Sequence, residues 1–427
     1  MNLPPGPSPR FALLKYNALL WALRVPLAIF TIGQALRRGG WRYAMQRLGW
    51  AYPHFSQRPI WLHAASVGEV IAALPLIERL QTRDANALIL ITTTTATGAA
   101  VAAARLPANV QHAYLPIDWR GAVRRFLRTT QPRCALIMET ELWPNLYRGC
   151  KASDIPLVLV NGRLSARTLR AGTWMRSVYG ATLACVDAVL ARSETDRTAF
   201  VELGTPTDRV TVVGNIKFSV SSNSPDMAPI NIARPYLLAA STHHDEEFLL
   251  ARLWQNLAHG EPLLVIAPRH PQRAKSILDQ LATLQLRVAV RSRGDAISAQ
   301  TEVYLADTLG ELPALINGAA LVFMGGSLVP VGGHNILEPA RAGKALLFGP
   351  HMRNFADEAR ALLSADAAVQ VLDVAALGEH ITRLLSDPRQ CDELGNRAKS
   401  LLREYANIAD RYLDAVVVLC KLENPTP

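Results

Sequence analysis

The sequence contains no C-x-x-C pair, and its five cysteines, Cys134, Cys150, Cys185, Cys391 and Cys420, are scattered and odd in number. That usage excludes a disulfide framework and a zinc ribbon and suits a reducing compartment. No G-x-x-x-x-G-K-[ST] loop occurs and no G-x-G-x-x-G fingerprint, which removes P-loop and dinucleotide sites. No Asp-x-Asp occurs, so a carboxylate clamp for a metal-bound diphosphate is missing. No His/Cys cluster has metal-ligand spacing, and neither a metal nor another cofactor is expected.

Acidic residues are also missing locally. Residues 1–60 hold no Asp or Glu but carry Arg10, Lys15, Arg24, Arg37, Arg38, Arg42, Arg47 and Arg58. Of a net charge of +10, this end therefore supplies +8. A nucleic-acid binder spreads its positive charge over a face or a helix, so nucleic acid is not expected as a partner.

The charge sits beside an apolar stretch, Phe11 to Ile32, interrupted by Lys15, Arg24 and Pro26. In a spanning helix Arg24 would lie near mid-bilayer, at about 2.5–3.5 kcal/mol. Lying in the interface lets Lys15 and Arg24 snorkel while Arg37, Arg38, Arg42 and Arg47 face anionic lipid, worth roughly 1 kcal/mol each. The expectation is a shallow membrane foot rather than a span. A helix packed on the protein's own core is the alternative. No small-residue cleavage site follows, so a cleaved signal peptide is not expected. Either membrane reading keeps the rest of the chain cytoplasmic by the positive-inside rule.

With 427 residues, half of them hydrophobic, the chain is too long for one core. Short apolar runs alternate with amphipathic stretches from residue 59 onward. Strands are predicted at 60–64, 87–93, 111–115, 134–138, 156–161 and 188–191. A second series falls at 236–241, 263–267, 288–291, 302–305, 321–324, 345–348 and 369–372. Continuous apolar strands separated by helices indicate open parallel sheets covered on both faces. The segment 219–235, rich in Ser, Pro and Asn, reads as a linker. The expected order is a basic apolar segment (1–58), an α/β domain (59–218), a hinge (219–235) and a second α/β domain (236–427). Ligands of such sheets sit at the carboxyl ends of strands.

Chemistry-bearing residues cluster at those ends. Glu69 follows the first strand in the first turn of a helix, where the dipole favours its ionised form and a general-base role is open to it. Acidic residues also occupy first turns for stability alone. Met138-Glu139-Thr140-Glu141-Leu142-Trp143-Pro144-Asn145 places two carboxylates and an indole at one strand end, as a ligand site or as a capping cluster. Lys217 can reach an anion or simply lie on the surface. Thr92–Thr95 is ligand-facing loop or capping structure. In the second half, Arg269 and His270 follow one strand, and an arginine fork suits phosphate. Gly310, Glu311 and Leu312 offer backbone N–H groups to a nucleotide. The glycine runs at 325–326 and 332–333 let backbone approach a ligand. A helix start near Asn335 offers N–H groups to phosphate, and Glu338 can accept from ribose hydroxyls.

These strings, in this order, resemble the Kdo (3-deoxy-D-manno-octulosonic acid) transferases of lipopolysaccharide assembly. The likeness rests on HAASVGEV (63–70), YLPIDW (114–119), METELWPNL (138–146), NGRLSART (161–168) and GNIKF (214–218). It continues in STHHDEE (241–247), APRHPQR (267–273), LGELP (309–313) and GGSLVPVGGHNILEPA (325–340). Family members often carry Pro at Ile336, Ala at Gly162 and Gly at Ala306. The resemblance implies a GT-B fold: two doubly wound α/β domains facing a cleft, with an N-terminal membrane-associating helix. It implies an inverting, metal-independent transferase that moves Kdo from CMP-Kdo to an acylated, phosphorylated lipid A precursor at the cytoplasmic face of the bacterial inner membrane. Glu69 is implied as general base, and Glu139 and Lys217 as transition-state stabilisers, with Glu141 a weaker candidate. CMP contacts fall on Arg269, His270, Gly310, Glu311, Leu312, Asn335, Ile336, Leu337 and Glu338. The rival readings are a GT-B enzyme using another nucleotide-sugar and an inactive membrane-bound nucleotide-binding protein.

Overall fold

The computed structural model describes residues 8–107, 109–219, 228–230, 232–257 and 262–422, apart from the side chains at 38, 39 and 166. The chain separates into two compact units, residues 1–222 with 407–427, and residues 223–406. Most of the expected hinge, 220–227 and 231, lies outside the described residues.

The first unit is built on β1 (Ile60–His63), β2 (Ile89–Thr93), β3 (Val110–Tyr114), β4 (Cys134–Met138), β5 (Leu157–Gly162), β6 (Ala188–Ala191) and β7 (Val210–Val212). All pair in parallel in the order β3-β2-β1-β4-β5-β6-β7. β1, β2, β4, β5 and β6 are buried at every position, as continuous apolar runs require. The chain leaves β1 toward β2 on one side and returns as β4 on the other, so the topological switch lies between β1 and β4.

The chain's end belongs to this unit and not, as expected, to the second domain. The helix Ile408–Leu419 buries Ile408, Ala409, Tyr412 and Val416. Tyr412 donates to the Gly214 carbonyl at 2.7 Å, and Asp410 pairs with Arg79 of the helix Val67–Arg83 at 2.8 Å. Gly214 has φ +115° and lies so close to Ile408 that a Cβ would sit 2.8 Å from its Cδ1. An amphipathic pattern tells that a helix covers a core, not which core it covers.

The N-terminal helices Pro9–Ala22 and Arg24–Gln34 lie against the same unit. Ala12 and Leu13 are buried, Trp174 donates to the Ala12 carbonyl at 3.3 Å, and Tyr16 donates to Asp118 at 2.9 Å. The opposite face is apolar and bare: Phe11, Leu14, Trp21, Val25, Ile29 and Phe30 are each 59–74% exposed. The charges that break the apolar run were expected to snorkel toward lipid. Instead Lys15 lies over the Trp174 ring (5.0 Å to the centroid) and Arg24 over Trp119 (5.7 Å). Arg47 also turns inward, donating to the Leu115 carbonyl at 2.7 Å, and Arg42 donates to that of His112 at 2.9 Å. Among the described residues no single helix is long and apolar enough to cross a membrane; the two N-terminal helices pass that test only as a pair bent by 58°.

The second unit contains β8 (Tyr236–Thr242), β9 (Leu263–Pro268), β10 (Val288–Val290), β11 (Val303–Leu305), β12 (Leu321–Met324), β13 (Ala345–Phe348) and β14 (Val369–Gln370). The order is β10-β11-β9-β8-β12-β13-β14, again all parallel. Its switch point lies between β8 and β12. Trp254, Phe323, Leu347 and Ile381 lie in its core.

Candidate functional site

At the first unit's switch point three sequence-predicted residues meet. Ser66 caps the helix Val67–Arg83 and Glu69 answers it: Oε1 accepts from Ser66 Oγ at 2.9 Å and Oε2 from the Ala65 N–H at 2.8 Å. The spacing S-x-x-E is that of a capping box, but Glu69 reaches the N–H of the residue before the cap and the Ser66 hydroxyl; the helix-start role is real all the same. Each carboxylate oxygen still has a second lone pair. The expected bias toward the ionised form is reversed, because burial, backed by the charges of Glu139 and Glu141, raises the Glu69 pKa to about 7. Such a carboxyl is poised for proton transfer near neutral pH.

Glu139 occupies the end of β4 in the left-handed region at φ 53°, uncommon for a residue with a side chain. Its Oε1 lies 2.9 Å from Lys217 Nζ and its Oε2 3.5 Å from Arg163 Nε. Lys217 is set by the short helix Ile216–Phe218, capped by Asn215, with the Ile216 N–H donating to Asn161 at 3.1 Å. Arg163 belongs to the NGRLSART string and follows β5. The strand-end logic that found Glu139 applies to it equally, yet sequence reading gave it no role.

Behind them lies a buried polar group. Glu141 accepts from Trp143 Nε1 at 2.9 Å and stands 4.0 Å from His63 Nε2, with burial raising its pKa. His63 is fully buried and neutral, its pKa pushed down to about 3 by burial. Its Nδ1 meets Thr92, and Nε2 has no hydrogen-bond partner. Thr94 bonds Ala65 and Thr95 caps the helix Ala96–Arg105, so the threonine run supports the loop and caps a helix. Asp118, of YLPIDW, accepts from the N–H groups of Asn145 and Leu146 at 2.9 and 2.8 Å, opening the helix Pro144–Ala152.

The second unit gathers its candidates around β8, β9 and β12. His243 and His334 stack with Nε2 atoms 2.7 Å apart, and His270 meets His243 edge-on at 5.8 Å between centroids. The charge of Arg269 acts on both His243 and His334. Two buried carboxylates of STHHDEE tie the loops together. Glu246 accepts from the N–H groups of His243, Gly326, Ser327 and Leu328 at 2.7–3.1 Å. Glu247 takes a two-pronged contact from Arg273 at 2.9 and 3.2 Å. Gly325 passes so near β8 that a Cβ would lie 2.7 Å from the Ser241 carbonyl oxygen. Among the described residues no three His, Cys, Asp or Glu side chains converge as metal ligands.

The remaining nucleotide candidates are sorted by their side chains. Glu311 is held by Arg291 at 2.7 and 3.1 Å and by Thr308, leaving backbone at Gly310 to Leu312 as the available donor. Ile336 and Leu337 are buried, so a ligand there meets main chain only. The expected helix start near Asn335 falls at Leu337 in a five-residue helix, and the Leu337 N–H is already taken by Asn335 Oδ1 at 3.1 Å. Asn335 also donates to Glu338 at 2.9 Å, and Glu338 is exposed. Arg291, His243 and His334 were missed as candidates; the first two directly follow strands, and His334 lies in the glycine-rich loop after β12.

Comparison with known proteins agrees with this layout. A family model described as 3-deoxy-D-manno-octulosonic-acid transferase (kdotransferase) matches residues 42–220. The 3-deoxy-D-manno-octulosonic acid transferase of Bordetella pertussis is 35% identical over 94% of this chain and 98% of its own. That of Haemophilus influenzae is 33% identical over 83% of this chain and 86% of its own. A solved glycosyltransferase from Rickettsia africae, 12% identical, superposes with a TM-score of 0.57 over 86% of this chain and all of that one, which shows the two-sheet GT-B fold. With this identity spanning nearly the whole length, the chain belongs to the 3-deoxy-D-manno-octulosonic acid transferase family, and it is a glycosyltransferase of lipopolysaccharide biosynthesis.

Proposed function

We propose that the chain transfers Kdo from CMP-Kdo, with inversion, to a primary hydroxyl of an acylated, phosphorylated lipid A precursor. The observation that carries the reading is the switch-point constellation of the first unit: Glu69 beside a Glu139 carboxylate bridged by Lys217 and Arg163. Glu69 takes the acceptor hydroxyl proton as its oxygen bonds to the anomeric carbon. The bond from that carbon to the CMP phosphate oxygen breaks, and its electron pair leaves with CMP. The transition state is oxocarbenium-like, as in other glycosyl transfers. Lys217, oriented by Glu139, supplies positive charge toward the developing anion.

The second unit supplies the groups for CMP. Arg269 and His270 stand beside the histidine stack, Gly310 to Leu312 offer main chain, and Asn335 with Glu338 offers an amide and a carboxylate suited to a ribose diol. No step needs a metal. The bare apolar face of the N-terminal helices suits an interfacial seat on anionic lipid at the cytoplasmic face of the inner membrane. Its two interrupting cations are stacked on the protein's own indoles, which leaves that face apolar. An acceptor that stays in the bilayer is thereby met at high effective concentration.

The test is incubation with CMP-Kdo and a tetra-acylated precursor, with product masses and CMP release followed together. Kdo-sized mass gains matched by CMP support the reading. CMP binding without release would instead indicate an inactive nucleotide-binding protein, and thermal stabilisation by UDP rather than CMP another donor. The family membership disfavours both alternatives.

A further inference from the structure

The first unit carries a cavity that none of the assigned groups uses. It has a volume of about 600 Å³ and is lined by Arg167, Arg170, Ala171, Gly172, Met175 and Tyr179. That size is in the range of small-molecule sites. Among the described residues, the guanidinium group of neither Arg167 nor Arg170 has an ion-pair or hydrogen-bonding partner. Both side chains are exposed on the lining, so each planar guanidinium fork can meet an anion that enters the cavity. The rest of the lining, Met175, Ala171 and the Tyr179 ring, is apolar or aromatic and suits the body of a sugar.

The position of the cavity narrows the ligand. Its loop begins at Arg163, which contacts Glu139, and Thr140 donates to the Arg163 carbonyl. It ends at Trp174, which bonds the Ala12 carbonyl and carries Lys15 over its ring. The loop is held in shape by Ser165, which accepts from the Thr168 N–H at 3.1 Å, and by Arg176, which donates to the Leu169 carbonyl at 2.7 Å. The cavity thus lies along a stretch running from the Glu139 cluster to the helix whose outer face is bare and apolar.

We propose that this cavity binds a phosphomonoester of the lipid-anchored acceptor, with Arg167 and Arg170 as its anion-binding pair. The proposal rests on the functional reading above and identifies the acceptor's phosphate seat. A bulk phospholipid headgroup offers similar chemistry. Residues serving bulk lipid alone would need no connection to Glu139, whereas a phosphate on the acceptor itself must be held in register with the reacting hydroxyl.

The test uses the full-length protein in mixed micelles at saturating CMP-Kdo, with a phosphorylated acylated disaccharide and its phosphatase-treated counterpart as acceptors. The double variant R167Q/R170Q should raise the KM for the phosphorylated acceptor by roughly 10- to 100-fold, the loss expected for charge-assisted hydrogen bonds. The donor KM should not move, and the wild-type preference for the phosphorylated acceptor should disappear. R167K/R170K should recover part of that preference, as charge without the planar fork. A double variant that keeps the wild-type preference overturns the proposal. So does one that loses sedimentation with phosphatidylglycerol vesicles while keeping that preference, which would assign the pair to bulk lipid. Equilibrium binding of the phosphorylated disaccharide, read from tryptophan fluorescence, separates the two levels. Arginine-dependent binding by a wild type that transfers no Kdo sinks the functional reading and leaves the cavity assignment standing.

Discussion

Lys217 Nζ lies 2.9 Å from Glu139 Oε1, so a cation on the segment after β7 is fixed to a carboxylate at the left-handed end of β4. The pair is more than a surface ion pair, since Glu139 is 14% and Lys217 24% exposed. A lysine held this way presents a fixed positive charge with little reorganisation left to do. Lys217→Ala and Glu139→Gln should each lower kcat by about 10²–10³, the scale of one lost transition-state donor. Acceptor and donor KM should change little. Steady-state kinetics with thermal melts checks this, and a Lys217→Ala enzyme with near-normal kcat would reduce the pair to scaffold.

With Glu69 as the proposed base, the acid limb of the rate should follow its titration. Its pKa is raised to about 7, so transfer should fall with unit slope as pH drops below that value. The same shift bears on stability. The folded state holds the proton more tightly than the unfolded chain, so the stabilising contribution is complete below about pH 4.5 and is lost as pH rises through 7. Glu69→Gln should therefore melt higher than wild type at pH 8, by roughly 1–2 kcal/mol, while losing transfer. Paired melts at pH 5 and 8 decide it; an equal melting difference at both would remove the linkage.

The histidine stack in the second unit constrains protons by geometry. Two Nε2 atoms 2.7 Å apart need one donor and one acceptor. A second proton breaks the bond, and the surroundings oppose it. Burial and the charges of His243, Arg269 and His270 hold His334 down at about 4, and Glu247 is the nearby group that favours protonation of His243. A depressed pKa gives stability that is present above about pH 6.5 and is lost as pH falls toward 4. His334→Gln, which bonds without gaining charge, should flatten that acid loss in melting temperature. An acid limb identical to wild type would contradict the assignment.

Tyr16 joins the N-terminal helix to the buried Asp118, which also opens the helix after METELW. Tyr16→Phe should cost about 1–2 kcal/mol, an ordinary to charge-assisted hydrogen bond. It should also speed proteolysis within residues 8–37. Urea unfolding and limited digestion measure both; unchanged values would mean the helix docks through Ala12, Leu13 and Trp174 alone.

Much of this was legible in the sequence, for a physical reason. Strands buried on both faces are runs of Val, Ile, Leu and Ala, and β1 through β6 and β8 through β14 fall within a few residues of where such runs placed them. β7 was not: Val210-Thr211-Val212 is three residues long and edges the sheet. The placement of helix Ile408–Leu419 was hidden because its apolar stripe fits either core. At the site, Glu69 and Glu139 were readable as charges at strand ends, whereas Lys217 was readable only as a cation beside the linker, because the strand before it was missed and its role came from the resemblance. What charge and position do not reveal is direction. Lys15, Arg24 and Arg47 read as lipid-facing from composition, whereas Trp174, Trp119 and the Leu115 carbonyl draw them inward. Ile336 and Leu337 read as ligand contacts from their string; burial of both side chains leaves main chain as the part of them a ligand could touch, which the string does not reveal.

The most direct test of the whole account is single-turnover transfer by Glu69→Gln with CMP-Kdo and the acylated acceptor, beside CMP affinity measured on the same preparation. The account predicts transfer slowed by about 10²–10⁴, the scale of general base catalysis, with CMP affinity unchanged. Transfer at a near wild-type rate would show that the acceptor proton leaves by another group.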